Sequence, residues 1–293
     1  MRYDFNSGNE LIDLCNRENK KIWEIMINRE EEISGNSKEE IYNAMVNNLK
    51  VMEDSVKKGF EEDIKSVSGL IGGEAKLLKE RYENNKTVSG TIMLKAVSSS
   101  MAVLEVNASM GRIIAAPTAG SCGIIPGVFI TIGDEFDIDD DTLVKGLFTA
   151  SAIGYIVAKN ATVSGAEGGC QAETGTAAAM TAAAIVEIMG GDIHQCLDAA
   201  SMTFKNIMGL VCDPVAGLVE VPCLKRNAIG AANALISVDM ALAGIKSIIP
   251  FDEVVEAMYS VGKSLSHDLK ETSLGGIAAS KTGKKLSKEI FNK

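Results

Sequence analysis

The stretch from Gly165 to Asn227 constrains the fold more than any other part of the chain. No Lys or Arg occurs between Lys159 and Lys205, and an Ala-rich run follows Cys170. This run predicts a long helix that starts at Cys170 and is mostly buried, because its small side chains allow close packing. Aromatic residues make up only 5% of the chain and hydrophobic residues 46%, so we expect a core of closely packed helices.

Helix signals recur along the rest of the chain. Ser7-Gly8-Asn9-Glu10 and Ser37-Lys38-Glu39-Glu40 both fit the capping box that begins a helix. The first of them predicts one helix that continues to the acidic run at residues 30–32. Pro and Gly fall between the helical patterns, and no segment alternates strictly enough for a strand. We therefore predict an all-α fold, with a multi-helix catalytic domain that has buried Ala- and Gly-rich helices around its functional site.

The composition changes at Thr87, where charged helical segments give way to Ser, Ala, Met and Val. This change predicts an N-terminal helical layer over residues 1–86 and a second helical domain over residues 87–293, which contains the candidate site residues. One continuous domain is the alternative. A chain of 293 residues is long enough for either arrangement.

The charge and the first residues exclude several classes of protein. A net charge of −10 argues against a nucleic-acid surface. The apolar run at residues 174–191 is too rich in Ala, Thr and Gly for a membrane span. Met1-Arg2-Tyr3-Asp4 leads straight into a charged segment, unlike a secretion signal. We therefore expect a cytoplasmic protein whose cysteines serve as metal ligands or reactive thiols rather than as disulfides.

Three of the six cysteines, Cys170, Cys212 and Cys223, lie beside Gly, Asp or Pro, where the backbone can bend. No CxxC pair is present, and spacing alone favours inert buried thiols over a metal site. Three thiolates can also bind three irons of a cubane cluster, which leaves the fourth iron open to a substrate. Asp213 and Asn227 are candidates to support such ligands.

A loop of small residues, Pro117–Gly123, precedes the apolar segment that starts at Ile124. Small residues at the start of a helix let backbone N–H groups face an anion. The loop is therefore a candidate anion-binding site. Taken alone, the sequence favours the plainer alternative, a close-packed junction between two helices.

Four segments resemble the motifs of the iron–sulfur L-serine dehydratases. They are PTAGSCGIIPG (117–127), GAEGGCQAETG (165–175), GLVCDPVAGLVEVPCLKRNA (209–228) and LKETSLGG (269–276). The resemblance covers nearly the whole chain and is to the α subunit of the two-subunit form. It implies an oxygen-sensitive lyase that uses a [4Fe–4S] cluster and no pyridoxal phosphate. The implied reaction converts L-serine to pyruvate and ammonia.

The resemblance also implies roles for individual residues. It divides the cysteines into cluster ligands (Cys170, Cys212 and Cys223) and thiols that do not bind the cluster (Cys15, Cys122 and Cys196). It implies a substrate site formed by Thr118, Ala119, Gly120, Ser121 and Asn227, with loop amides and hydroxyls on the carboxylate of L-serine. Thr118, Ser121 and Lys270 are the residues expected to act in catalysis, with Lys270 either binding the carboxylate or transferring a proton.

One segment that is common to single-chain members and β subunits of this family, Gly-Pro-Ser-Ser-Ser-His-Thr, does not occur in this sequence. We therefore expect a separate β chain, or a relative that works without one. Leu269 and Thr174 stand where family members more usually have an aromatic and an apolar residue, which concerns substrate fit more than the cluster. Two other functions remain open: a cysteine desulfidase-type lyase with the same cluster, and a non-enzymatic helical subunit with inert buried thiols.

Overall fold

The computed structural model describes residues 2–292, and within this range it confirms the all-α prediction. Thirteen α-helices are present: α1 (Gly8–Glu18), α2 (Ile22–Ser34), α3 (Lys38–Glu61), α4 (Glu74–Glu83), α5 (Thr91–Ala108), α6 (Ile124–Phe136), α7 (Asp140–Asn160), α8 (Gly165–Gly168), α9 (Cys170–Ile188), α10 (Ile193–Asn206), α11 (Cys223–Leu242), α12 (Phe251–Ser264) and α13 (Lys281–Phe291). Three short 3₁₀ turns lie between them. The extended backbone of these residues forms a single isolated bridge, between Cys212 and Lys270.

Helix α9 is the centre of the fold and starts at Cys170, as the Ala-rich run predicts. It packs against α6, α7, α10 and α11. Every residue from Cys170 to Glu187 is buried except Glu173, which is half-buried. Ala and Gly allow this because they let neighbouring helix backbones approach closely, and interiors pack at the density of crystals.

The single helix predicted from Ser7 to the acidic run is wrong, because the chain breaks into α1 and α2. Asn19 ends α1 in the left-handed conformation, at a φ of 50°, which Asn tolerates better than most residues. Glu187 then caps the new helix from α9, since its Oε1 accepts a hydrogen bond from the Ile22 N–H at 2.8 Å. These two residues are 165 positions apart in the chain, so no local pattern could show the contact.

The N-terminal helices share the main apolar core with the later ones. Leu11, Ile25 and Met52 belong to the same buried cluster as Phe129 and Ile185. The division at residues 86 and 87 stays a prediction. In the part of the chain that the structure describes, no helix combines the length and the apolar character needed to cross a membrane.

A second, smaller apolar cluster lies under the small-residue loop. It joins Met101 and Leu104 of α5 to Cys122, and to Cys223 and Leu224 at the start of α11. This cluster gives the loop and the first turn of α11 a common apolar support.

Candidate metal and substrate site

The three cysteines singled out by the sequence occupy element boundaries. Cys170 is the first residue of α9 and Cys223 is the first residue of α11. Cys212 lies in the loop before α11, and the single turn α8 precedes α9. All three thiols are buried, with 3, 4 and 7% of the Cys170, Cys212 and Cys223 residues exposed.

The C-terminal LKETSLGG segment fixes the position of Cys212. The Cys212 N–H donates to the Leu269 carbonyl at 2.8 Å, and the Glu271 N–H donates to the Cys212 carbonyl at 2.7 Å. The Ser273 hydroxyl also donates to the Pro214 carbonyl at 2.7 Å. Two of the sequence motifs therefore meet through hydrogen bonds at one cysteine.

The three cysteines lie around Glu173, and we call them the three-thiol site (Cys170, Cys212 and Cys223). Cys170 lies one helical turn before Glu173, and the space beside Gly165 is bordered by both Cys212 Sγ and Glu173 Oε2. Asn227 connects the Cys223 carbonyl to that of Gly120, which adjoins Glu173.

Burial raises the pKa of each thiol, and the pKa of Cys212 is raised further by Cys170, Glu271, Glu173 and Cys223. Sulfur ligands bind metal as thiolates. The raised pKa values therefore mean that three thiolates here need a compensating positive charge.

Arg226 supplies positive charge at this site. It is 8% exposed, and its guanidinium lowers the pKa of Cys170 and of Cys223, against the larger effect of burial. Its Nη2 donates to Asp213 Oδ1 at 2.6 Å. Its Nη1 is buried and has no hydrogen-bond partner within residues 2–292. Three inward thiols and an unpaired buried donor fit an anionic iron–sulfur cluster, since sulfur atoms of such clusters accept hydrogen bonds.

The same thiols do not fit a single metal ion. No group of three or more His, Cys, Asp or Glu side chains in residues 2–292 is arranged to hold one ion. One zinc ion with Zn–S bonds of about 2.3 Å would bring its sulfur ligands to within about 4 Å of one another. In a four-iron cluster each thiolate ligates a different iron, so the ligands need not converge on one point.

The small-residue loop lies beside Cys223 because Asn227 ties them together. Asn227 Oδ1 accepts from the Gly123 N–H at 3.0 Å, and its Nδ2 donates to the carbonyls of Gly120 (2.7 Å) and Cys223 (3.0 Å). The loop forms a 3₁₀ turn at Ala119–Ser121 before α6 starts. The side chain of Asn227, predicted to touch substrate, thus makes its hydrogen bonds to the backbone around the site.

Glu173 is a site residue that the sequence reasoning did not single out. Its Oε1 accepts a hydrogen bond from the Thr118 hydroxyl, which also lies 3.2 Å from the Ser121 hydroxyl. A Cβ added to Gly120 would overlap the Glu173 carboxylate, and one added to Gly165 would lie 2.9 Å from Cys212 Sγ and 3.3 Å from Glu173 Oε2. The carboxylate therefore lies between the small-residue loop and Cys212.

Burial raises the pKa of Glu173, and the charge of Glu271 raises it further, although the hydrogen bond from Thr118 opposes both. A signal for this residue was present in the sequence. Glu173 follows Cys170 by three positions in a helix, and residues with that spacing share a face.

The remaining predicted residues are also placed by the structure. Lys270 pairs with Cys212 through its backbone, while its Nζ lies 3.4 Å from the Lys263 carbonyl near the end of α12. Cys122 is fully buried below the small-residue loop, and burial raises its pKa. Cys15 and Cys196 lie in the main core, and all six cysteines are free thiols. The roles assigned to these residues stay predictions.

Comparison with known proteins agrees with the motifs. A family model described as the serine dehydratase alpha chain matches residues 17–278. A probable L-serine dehydratase alpha chain of Bacillus subtilis (strain 168) is 50% identical over 98% of this chain and 95% of that protein. The L-serine dehydratase alpha chain of Peptoniphilus asaccharolyticus is 45% identical over 98% of both chains. The L-serine dehydratase TdcG of Escherichia coli (strain K12) is 35% identical over 94% of this chain and 62% of that protein. The chain therefore belongs to the serine dehydratase alpha chain family.

Proposed function

We propose that this protein is the α chain of an L-serine dehydratase that converts L-serine to pyruvate and ammonia. The observation that carries the proposal is the three-thiol site, where cysteines from three separate segments lie buried around Glu173, next to the buried guanidinium of Arg226. The names of the relatives support the same activity.

In this proposal Cys170, Cys212 and Cys223 hold a [4Fe–4S] cluster. When bound, a cluster with one iron left open supplies Lewis acidity toward an oxygen of the substrate. The protein contributes buried surroundings for the three thiols, in which electrostatic interactions are stronger than in water. Arg226 contributes positive charge next to two of the thiols.

The small-residue loop binds the carboxylate of L-serine. Ser121 brings a hydroxyl group, and the first N–H groups of a helical turn at Ala119 and Gly120 have no partner within the turn. The Thr118 hydroxyl, whose single proton goes to Glu173 in this conformation, reaches the substrate only when it leaves that bond. Asn227 holds the loop from both sides of the turn, and Glu173 orients the Thr118 hydroxyl. Fixing a substrate in a reactive orientation is worth several powers of ten in rate.

Elimination of water from L-serine also requires removal of the proton on its α carbon. Lys270 is our candidate for proton transfer or for a second contact with the carboxylate. Its backbone is fixed beside Cys212, while its Nζ donates to the Lys263 carbonyl in this conformation.

We further infer that a β chain completes the enzyme. Two relatives that this chain matches almost end to end are named as alpha chains. By contrast, the chain spans 62% of the length of the Escherichia coli protein named simply as an L-serine dehydratase. A cytoplasmic location follows from the same proposal, because cluster assembly needs thiols kept reduced.

Anaerobic reconstitution with iron and sulfide, with and without the β chain, tests the proposal. The wild-type chain should gain the absorbance of an iron–sulfur cluster and, with its β chain, release pyruvate from L-serine. Cys212→Ala should lose both properties, whereas Cys15→Ala, which removes a thiol from the main core, should keep both. A wild-type protein without iron, or a fully active Cys212→Ala variant, would rule the proposal out.

A further inference from the structure

Arg226 forms a salt bridge through only one of its two terminal nitrogens, Nη2, while Nη1 is left without a standard hydrogen bond in the described residues. Arg226 Nη2 donates to Asp213 Oδ1 at 2.6 Å, but Asp213 Oδ2 accepts from the Ile277 N–H at 2.6 Å. Only Asp213 Oδ1 is bonded to the guanidinium, so the pair does not form the two-pronged contact that Arg and carboxylates often form. Nη1 is buried and forms no hydrogen bond of standard geometry within residues 2–292, but the guanidinium is close enough to the Cys170 thiol to lower the pKa of that thiol.

An unpaired charged donor is costly in a protein interior. Leaving a buried donor unsatisfied costs about 1–3 kcal/mol, and more when the group is charged. The charge itself is not in doubt, because arginine stays protonated in proteins. A protein that keeps such an unpaired donor is expected to supply a partner for it in the functional state.

The surroundings hold Arg226 in this orientation. Arg226 follows Cys223 by three positions in the first turn of α11, so both lie on one face of the helix. Asp213 is only 2% exposed, and it is packed so tightly against Gly276 that a Cβ there would overlap its carboxylate. The Ile277 N–H and Gly276 thus hold the Asp213 carboxylate in place, and Asp213 in turn holds Nη2 of the Arg226 guanidinium.

We propose that Arg226 donates a hydrogen bond through Nη1 to the sulfur atoms of the cluster and thereby sets its stability and its reduction potential. This inference rests on the proposed function, since it needs the cluster on Cys170, Cys212 and Cys223. Two successive hydrogen bonds, from Ile277 to Asp213 and from Arg226 to Asp213, then connect the C-terminal segment to the cluster. Groups that support metal ligands from behind typically change metal affinity or activity by about 10- to 100-fold.

The test compares Arg226→Gln and Arg226→Lys with wild type, as full-length chains reconstituted anaerobically with iron and sulfide in the presence of the β chain. Lys225→Gln is the matched control, because Lys225 is the neighbouring cation but is 61% exposed and pairs with Glu74. Two readouts are independent of activity: the rate at which an iron chelator removes iron, and the midpoint potential of the cluster.

In Arg226→Gln we expect iron loss to be about tenfold faster and the midpoint potential to be lower. The potential falls because a positive charge and a hydrogen-bond donor both favour the more negative, reduced cluster. Arg226→Lys, which keeps the charge but not the planar fork, should change both readouts in the same direction and by less. Lys225→Gln should match wild type in both.

Two results would overturn the inference. The first is that Arg226→Gln loses iron at the wild-type rate and has the wild-type midpoint potential. If circular dichroism shows that Arg226→Gln does not fold, the same result in Arg226→Lys overturns the inference. The second is a higher KM for L-serine with both cluster readouts unchanged, which would assign Arg226 to the substrate carboxylate. Failure of the wild-type chain to take up iron would instead be failure of the proposed function.

Discussion

Helix α9 carries two glutamates with different roles, the half-buried Glu173 near its start and the buried Glu187 near its end. Each accepts a hydrogen bond from a threonine hydroxyl, of Thr118 and Thr149 respectively, and burial raises the pKa of both. A carboxylate that is bonded to a threonine hydroxyl and has a raised pKa therefore occurs at each end of this helix.

The difference lies in what else each carboxylate meets. Glu187 uses its second oxygen to cap α2 through the Ile22 N–H, so both of its oxygens are committed to the fold. Within the described residues Glu173 accepts only the bond from Thr118, and it faces Cys212, Gly120 and Gly165. A carboxylate with all its partners supplied by the fold is structural, while one with an uncommitted oxygen beside the three-thiol site is a candidate for function.

The largest expected effect is a loss of L-serine dehydratase activity when Glu173, but not Glu187, is replaced. Glu173→Ala should lower kcat/KM for L-serine about 100-fold, because Thr118 and the small-residue loop lose their anchor, and a small misplacement of binding groups is costly. The free energy of unfolding of the chain should change little. Steady-state pyruvate release and urea unfolding measure the two quantities. Glu39→Ala, an exposed glutamate on α3, is the control, and near-normal activity in Glu173→Ala would remove the distinction.

The second effect is on stability. Glu187→Ala should lower the free energy of unfolding by about 2 kcal/mol, because the Ile22 N–H and the Thr149 hydroxyl lose a buried acceptor. Its kcat/KM per cluster should equal that of wild type, since Glu187 is a cap for α2 and lies away from the small-residue loop. Urea unfolding of both proteins gives the difference. A large loss of activity at unchanged stability would show that the two glutamates share a role.

Replacing Thr118 and Thr149, the hydrogen-bond partners of Glu173 and Glu187, compares the two ends of α9 through a smaller substitution. Thr118→Val should lower kcat/KM about tenfold, mainly through a higher KM, as expected for loss of a hydrogen bond to a charged group. Thr149→Val should leave KM unchanged and lower the free energy of unfolding by about 1 kcal/mol. Each variant serves as the control for the other, because both replace one hydroxyl by a methyl group. Equal KM values would contradict the assignment of Thr118 to the substrate loop.

The smallest expected effect concerns pH. Because burial raises the pKa of Glu187 in the folded protein, the folded state holds its proton to higher pH than the unfolded state does. The stability that Glu187 contributes is then fully present below the unfolded pKa and decreases as pH rises toward the folded pKa. Glu187→Gln removes this titration, so wild type should lose stability relative to the variant over the pH range that begins at the ordinary glutamate pKa of about 4.3 and extends upward. Unfolding curves across that range test the sign, and a difference that does not vary with pH would contradict it.

The sequence by itself determined the fold class, the start of α9 and the identity of the family. The Ala-rich run without Lys or Arg predicts a buried helix, and the structure confirms its first residue as Cys170. The capping box at Ser37 is also confirmed, with both reciprocal hydrogen bonds present. These features are local, because caps and helical periodicity depend on residues only a few positions apart.

The tertiary structure alone decided the contacts that cross the chain. Glu187 supplies the cap that divides the first helical segment, and Asn227 joins Cys223 to a loop more than a hundred positions earlier. The approach of Glu173 to Thr118 and the unpaired prong of Arg226 are equally non-local. The physical reason is that a hydrogen bond depends on the distance between its atoms in space. Sequence spacing sets that distance within a helix, and only the packing of helices sets it between them.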